Sequence, residues 1–297
     1  MESVVVMGGG PAGLAAGYTL AKKGYDVTVI EQGKQVGGIS KTVEEQGYRF
    51  DLGGHRFFTK IEEVEQLWNE VLEEEFLLRP RLSRIYYRGK FFDYPIKPFN
   101  ALSGLGLYES LLIIGSYVKV KVKPVSPEES FEDWVTNRFG PRLFQHFFKS
   151  YTEKVWGMPT TELKAEWAAQ RIQGLSLVSA VTNALLKQIR KNQIKTLIEE
   201  FHYPRLGPGQ MYEAMAAAIE RLGGKVLLET AVGSLSKEGQ RITAVQCRDK
   251  TGQNIKLEAD HFISSLPLRE LINIISPLED ESVVIAGNLL KYRAFLT

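Results

Sequence analysis

Unbroken apolar runs and helically spaced ones occupy different parts of this chain, and that division sets the expected architecture. Residues 4–7 (Val-Val-Val-Met) are a short apolar run of the kind a strand buried on both faces needs, and 27–30 (Val-Thr-Val-Ile) read as a second strand. Between them, residues 14–23 are small and helix-compatible, with Lys22 and Lys23 in the last turn and Gly24 placed to end the helix. The pattern predicts strand, helix, strand, as in a buried parallel sheet. The late part of the chain returns to it. A helix over 212–222 ends at Gly223, a strand follows at 225–228, and another apolar strand stands at 261–264. Between these, a segment at 233–236 leads into a β-meander over 243–248 and 255–259, around Lys250-Thr251-Gly252.

The middle of the chain reads differently. Residues 62–75 place Val64, Leu67, Trp68, Val71 and Leu72 on one face of an acidic, packed surface helix. Hairpins are expected at 41–51, turning at Gln46-Gly47, and at 85–92, turning at Arg88-Gly89, the second ended by Tyr94-Pro95 and Lys97-Pro98. Residues 105–122 look helical, although Lys119, Lys121 and Lys123 alternate with valines as in a strand or a helix end. Pro124 and Pro127 break the chain, and Ser130 with Asp133 can form a capping box. Phe131, Trp134, Phe139, Phe144, Phe147 and Phe148 then supply an aromatic core. Residues 177–200 read as a long helix whose Lys187, Arg190, Lys191 and Lys195 form a basic side. That side is a solvated face or, alternatively, a contact with an anionic membrane surface. A turn-rich loop at 203–211 precedes the late helix, residues 268–275 look helical, and 288–296 read as a strand.

Composition changes little. The 297 residues are enough for two domains, and a net charge of +2 gives no reason to expect a nucleic-acid partner. Cys247 is the only cysteine, which excludes an intrachain disulfide and a cysteine metal cluster and fits a cytoplasmic location; no metal site is expected. The apolar start carries Glu2 and lacks a basic n-region, so it does not read as a signal peptide. Residues 111–114 are strongly apolar but too short a run to span a membrane.

The candidate chemistry lies in the glycines. Gly8, Gly10 and Gly13 fit G-x-G-x-x-G, with Pro11 and Ala12 inside the motif. Gly8 suits a tight turn, Gly10 lets a pyrophosphate approach the backbone, and Gly13 lets the helix pack on the strand while its N-terminus faces the phosphates. Glu31 ends the second strand, where a carboxylate can take both hydroxyls of an adenosine ribose. In a plain NAD unit a helix would follow; here Gly37-Gly38-Ile39-Ser40 make a loop, and Gly53-Gly54-His55 make another. Two further glycine clusters imply backbone lying close to a flat, extended ligand, which favours FAD over NAD. Residues 151–171 add Trp156, Trp167 and Arg171, a combination that suits a base or sugar face plus a phosphate as readily as it suits core packing.

The Gly8-to-Glu31 unit, the Gly37-Gly38 pair and residues 259–267 together resemble the FAD-binding domain shared by amine oxidases, protoporphyrinogen oxidase, phytoene desaturases and UDP-galactopyranose mutases. The resemblance is nearest to the mutases, since Ile39 follows the glycine pair where amine oxidases usually carry arginine. It implies an α/β fold: a Rossmann-like FAD-binding domain of the discontinuous GR2 type with an inserted, mainly helical substrate domain. The expected boundaries are 1–80 and 203–268 for the FAD-binding domain, 81–202 for the helical domain, and 269–297 for the start of a further substrate segment. Val232 and Ser264 join Gly8, Gly10, Pro11, Ala12, Gly13, Glu31, Gly37, Gly38, Ile39, Ser40, Gly53 and Gly54 as implied cofactor contacts, with His55 beside the flavin. Tyr151, Trp156, Arg171 and Gly209 are the implied substrate contacts, Trp156 shaping the pocket and Arg171 meeting a diphosphate. The implied function is a mutase-like enzyme working on a UDP-sugar through reduced flavin, with NADPH or another reductant supplying electrons. The alternative is an oxidase or desaturase that takes a hydride from an amine or apolar substrate, using a pocket of Phe91, Phe92 and the aromatics of 131–148. The family's late tyrosines and final glycine motif have no counterpart here, so the chain resembles an N-terminal portion.

Overall fold

A computed structural model describes residues 1–93, 98–171, 176–178, 200–276 and 280–292. The chain divides into two units, one made of Met1–Arg79 with Phe201–Thr297, the other of Pro80–Glu200.

The first unit begins with β1 (Ser3–Met7), α1 (Pro11–Lys22) and β2 (Asp26–Ile30). β1 and β2 pair in parallel, Val4 opposite Val27 and Met7 opposite Ile30. Alternate side chains of β1 serve two different cores. Val4 and Val6 pack with Leu14, Val27, Val29, Met211 and Ile219, whereas Val5 and Met7 pack with Ile30, Leu235, Val245 and Cys247. A sheet covered on both faces is why the run carries no polar residue. The hairpin β3 (Thr42–Glu45) and β4 (Tyr48–Asp51) turns where expected, with Gln46 and Gly47 both at positive φ. Helix α2 (Glu62–Leu72) starts with Glu62, Glu63 and Glu65, which complement its dipole. It ends three residues earlier than expected, in a tight turn before β5 (Phe76–Pro80). Its Glu70 accepts hydrogen bonds from Lys22 and from Tyr18 at 2.5 Å; burial, then that carboxylate, pushes the Tyr18 phenol up to about 12.

The second unit has the hairpin β6 (Arg84–Tyr87) and β7 (Lys90–Asp93), followed by helices α3 (Pro98–Leu105), α4 (Leu107–Val122), α5 (Phe131–Phe139), α6 (Pro141–Phe144), α7 (Ser150–Trp156) and α8 (Ala165–Arg171). The lysine–valine alternation near Val122 does not make a strand: α4 continues through it, with Val120 buried seven residues after Ile113 and Lys119 and Lys121 exposed on either side of it. Ser130 and Asp133 close a reciprocal capping box at the start of α5. Phe92, Phe131, Trp134, Phe139, Phe144 and Phe147 form the core. A wide π turn, Gln145–Lys149, joins α6 to α7 and places His146 between Tyr87 and Glu109. Tyr87 Oη lies 2.9 Å from His146 Nδ1, and His146 Nε2 lies 2.7 Å from Glu109 Oε1. Arg142 grips the same carboxylate with Nε and a terminal nitrogen.

Hydrogen bonds from Arg142 and then His146 hold the Glu109 carboxyl at about 2, below its ordinary 4.5. The depressed value belongs to the folded state, so this carboxylate stabilises the fold above its ordinary range and ceases to as pH falls from about 4.5 toward 2. Thermal melts across that window should show the wild type losing stability more steeply than Glu109→Gln. Equal slopes would remove Glu109 from the account.

The chain re-enters the first unit at β8 (Glu200–Pro204), which pairs with β5, so Glu200 starts a strand where sequence spacing predicted the end of a helix. Lys187, Arg190, Lys191 and Lys195 lie outside the described residues. Then come α9 (Gly209–Arg221), β9 (Lys225–Leu227), β10 (Ala231–Glu238), β11 (Arg241–Arg248), β12 (Asn254–Glu258), β13 (His261–Ser264), α10 (Leu268–Ile274), β14 (Ile275–Ser276) and α11 (Glu281–Leu289). The parallel sheet has the order β13-β1-β2-β9, and a second sheet has the order β12-β11-β10-β14. This is the expected α/β class, a Rossmann-like sheet with an inserted, mainly helical unit. The strand expected over 288–296 is corrected in part: Asn288 and Leu289 end α11, whose N-terminus is capped by the Asp280 side chain accepting from Ser282 N–H, and 293–297 lie outside the described residues. A satisfied helix start outweighs the β-branched Val283, Val284 and Ile285.

Candidate functional site

The order β13-β1-β2 reverses direction about β1, and the crevice outside the carboxyl ends of these strands is where open α/β sheets bind ligands. The first loop of that crevice is built by its own backbone. Gly8 N–H donates to Ile30 C=O at 2.8 Å, and Ser265 N–H donates to Met7 C=O at 2.9 Å. Gly8 has φ +105°, and a Cβ at Gly13 would lie 1.9 Å from the Gly8 carbonyl oxygen, so strand, turn and helix meet without room for a side chain. Helix α1 follows with Gly10 as its N-cap and Pro11 in its first turn, and no side chain caps it. Pro11 removes one orphan N–H, and the remaining first-turn donors face the crevice mouth, which is the usual anion site of a helix N-terminus.

Glu31 completes the loop. Its Oε2 accepts from Gly9 N–H at 2.8 Å and its Oε1 from Gly33 N–H at 2.7 Å. Its own N–H donates to Leu227 C=O, and its C=O accepts from Thr230 N–H. The carboxylate is thus oriented by four hydrogen bonds through side chain and backbone, and each oxygen keeps acceptor capacity for a further donor. The next glycine pair leans on the first loop: Gly37 N–H donates to Gly9 C=O at 2.8 Å, and a Cβ at Gly38 would be 3.3 Å from Gly10 Cα. Tyr212 is buried on α9; burial pushes its phenol up, and the Ser40 hydroxyl, as a donor to the phenol oxygen, pulls it partly back. Gly209 is buried where its N–H donates to Thr42 Oγ1 at 3.0 Å. Gly8, Gly10, Pro11, Ala12, Gly13, Glu31, Gly37, Gly38, Ile39 and Ser40 therefore share one region, with Ala12, Gly38 and Ile39 exposed.

Ser264 ends β13 opposite Met7, and its Oγ accepts from Leu266 N–H at 3.3 Å. Val232 lies on β10 opposite Cys247, at a register shift and two residues past Thr230. His55 follows Gly53 and Gly54 after β4, and its Nδ1 is the buried side-chain polar atom left without a hydrogen-bond partner among the described residues. An orphan of this kind calls for a partner that is not part of the chain. The uncapped helix, the anchored carboxylate and this nitrogen fit a flavin dinucleotide: phosphates, a ribose diol and a ring with polar edges. Tyr203 donates its hydroxyl to Asp51 at the end of β4, and burial raises that phenol well above its ordinary value, with the Asp51 hydrogen bond adding to the shift. Among the described residues no cluster of His, Cys, Asp or Glu could hold a metal.

The implied substrate residues other than Gly209 lie in the second unit. Trp156 ends α7 and meets Trp167 of α8 edge-on at 4.9 Å and 82°. Thr160, fully buried, donates to Glu132 Oε2 at 2.8 Å and holds the turn after Trp156. Tyr151 is exposed on α7. Arg171 ends α8, and its side chain lies outside the described residues.

Four supporting residues escaped the sequence reading: Gly9 and Gly33, which hold Glu31, and Thr42 and Tyr212, which hold the second glycine loop. Gly9 is a variable position inside the motif and Gly33 lies two residues past the acid, so nothing in the spacing sets them apart from the other glycines. Thr42 and Tyr212 are brought in by tertiary contact and leave no local signal.

A family model described as flavin containing amine oxidoreductase matches residues 11–283. The chain is 27% identical over 277 residues to a lycopene-forming phytoene desaturase of Pantoea ananas, an alignment covering 84% of this chain and 53% of that one. It is 28% identical over 174 residues to a probable UDP-galactopyranose mutase of Klebsiella pneumoniae, covering 55% and 43%. The solved structure of a reduced UDP-galactopyranose mutase superposes with a TM-score of 0.77 at 20% identity, covering 98% of this chain and 62% of that one. The chain spans about half the length of these curated relatives.

Proposed function

We infer the function from one premise: this chain belongs to the flavin containing amine oxidoreductase family. Its first unit is proposed to hold FAD. The observation that carries this is the Glu31 carboxylate, fixed by the Gly9 and Gly33 amides beside an uncapped helix N-terminus. The first-turn amides of α1 would take the phosphates, Glu31 the ribose hydroxyls, and the backbone of Gly37 and Gly38 would lie along the dinucleotide. Val232 and Ser264 would border it, and His55 Nδ1 would hydrogen-bond a polar edge of the flavin ring. When bound, the flavin supplies the electron-transfer and covalent chemistry of the site, and the protein binds, orients and shields.

The substrate proposed is a UDP-sugar. Support comes from the likeness to the mutase structure across nearly the whole chain and from the tryptophan pair, on which a base can stack. Trp156 would meet the base, Tyr151 would offer a polar contact beside it, and Arg171 would neutralise the diphosphate. A reductant such as NADPH would be required to charge the flavin. The likeness to a carotenoid desaturase favours a second reading, in which a hydride leaves an apolar substrate. Of the aromatics that reading would draw on, Phe92, Phe131, Phe139, Phe144 and Phe147 are buried as core, whereas Phe91 is exposed and Phe148 partly so.

Purified protein should carry a flavin spectrum. UDP should quench its tryptophan emission, and Trp156→Ala with unchanged flavin content should bind UDP about tenfold more weakly, the order expected for one stacked base. Turnover of UDP-galactopyranose after dithionite reduction supports the mutase reading. Oxygen uptake by the oxidised protein on an amine or polyene, with no UDP binding, would replace it with the second.

A further inference from the structure

Helix α4 presents an apolar stripe to solvent. Leu107, Leu111, Ile114, Val118 and Val122 are exposed, Leu107 at 86% and Val122 at 81%. Their spacing of i, i+4, i+7, i+11 and i+15 puts them on one face, along a helix about 24 Å long. The opposite face is also apolar and is used: Ile113 and Val120 are buried. A surface helix normally needs only one such face, so the outer stripe is not explained by packing within the unit. Contiguous exposed apolar surface with a polar border marks an interaction site.

The border identifies the partner. Tyr108 flanks the stripe at its start, and Lys119, Lys121 and Lys123, all exposed, flank its end. Glu109 is the single carboxylate of α4, and Arg142 and His146 already engage it. Lys119, Lys121 and Lys123 thus stand at the end of the stripe with no carboxylate of α4 left to pair with them. Cations in the last turn also suit the helix dipole, but that accounts for no exposed leucine. A second copy of α4 fits poorly: parallel pairing would set lysines against lysines, and antiparallel pairing would offer them no free acid. An anionic bilayer supplies both complements, hydrocarbon for the stripe and phosphate for the lysines. No helix among the described residues is long and apolar enough to cross a membrane, so the contact would lie flat.

We propose that the outer face of α4 docks the protein on the surface of an anionic lipid bilayer. The whole chain should co-float with phosphatidylcholine vesicles containing phosphatidylglycerol, less so at high salt, and remain behind with phosphatidylcholine alone. Leu111→Glu with Val118→Glu should lower partitioning by at least about tenfold, since it places charge on the inserted face. Lys119→Ala, Lys121→Ala and Lys123→Ala should each lower it roughly fivefold. All five positions are exposed, so circular dichroism and melting should stay unchanged. Three outcomes would overturn the proposal: no flotation with either vesicle, flotation indifferent to the lysine substitutions, or a dimer that the glutamate pair dissociates while vesicles are ignored. The last would assign the face to a second copy.

Discussion

Gly13→Val should give a colourless protein of much reduced stability. A Cβ at this position would sit 1.9 Å from the Gly8 carbonyl oxygen and 3.1 Å from both the Gly8 carbonyl carbon and Ser265 Oγ. The first two are backbone atoms, and they belong to the turn that Gly8 N–H ties to Ile30. No rotamer relieves such a clash; α1 must lift from β1, carrying Leu14 away from Val27, Val29 and Ile219. Overpacking against backbone together with loss of that core contact should cost about 3–5 kcal/mol. The phosphate site is lost in the same movement, because the first-turn amides of α1 turn away from the crevice. Gly54→Ala is the control for the fold: a Cβ there meets nothing within 4 Å of the protein, so the flavin-free protein should melt within about half a kcal/mol of the wild type. Flavin-to-protein absorbance ratios and thermal melts read both variants. A yellow Gly13→Val protein that melts with the wild type would show that the loop is not built as described.

That contrast also bears on what could be read before the structure was known. Val4 to Ile30 was legible because each local signal agreed with the others: an apolar run, a glycine turn, a small-residue helix, an acid at the end of the second strand. The capping box at Ser130 and the turn at Gln46-Gly47 were legible for the same reason, since both are short-range hydrogen-bond chemistry. One error lies where a distant contact decides. Glu200 joins β8 because β5 offers a partner more than a hundred residues away in sequence. The α11 error is of another kind: the Asp280 cap is local, and the β-branched run outweighed it in the reading. In the site, the acid itself could be named from spacing. The groups that aim it could not be ranked among the 27 glycines of the chain.

Glu31→Gln follows from that last point and separates two roles of one carboxylate. Both oxygens accept backbone N–H groups, from Gly9 at 2.8 Å and Gly33 at 2.7 Å. A glutamine has one oxygen and one NH₂, so either orientation sets a donor against a donor. One of the two amides loses its partner, at about 1–3 kcal/mol, and the loop that also carries Gly37 through Gly9 C=O loosens. The protein without flavin should therefore melt lower than the wild type, although no ligand contact has changed. Flavin affinity should fall further, by about ten- to a hundredfold, because a neutral amide cannot accept both ribose hydroxyls as a carboxylate does. Glu31→Asp should fail in the same direction, since a side chain one methylene shorter cannot span Gly9 and Gly33 together. The decisive comparison is between flavin-free melts and flavin titrations of the same variants. If affinity falls while the flavin-free melt is unchanged, Glu31 acts on the ligand alone, and the pre-ordering of the crevice must come from the glycine backbone and Ser265.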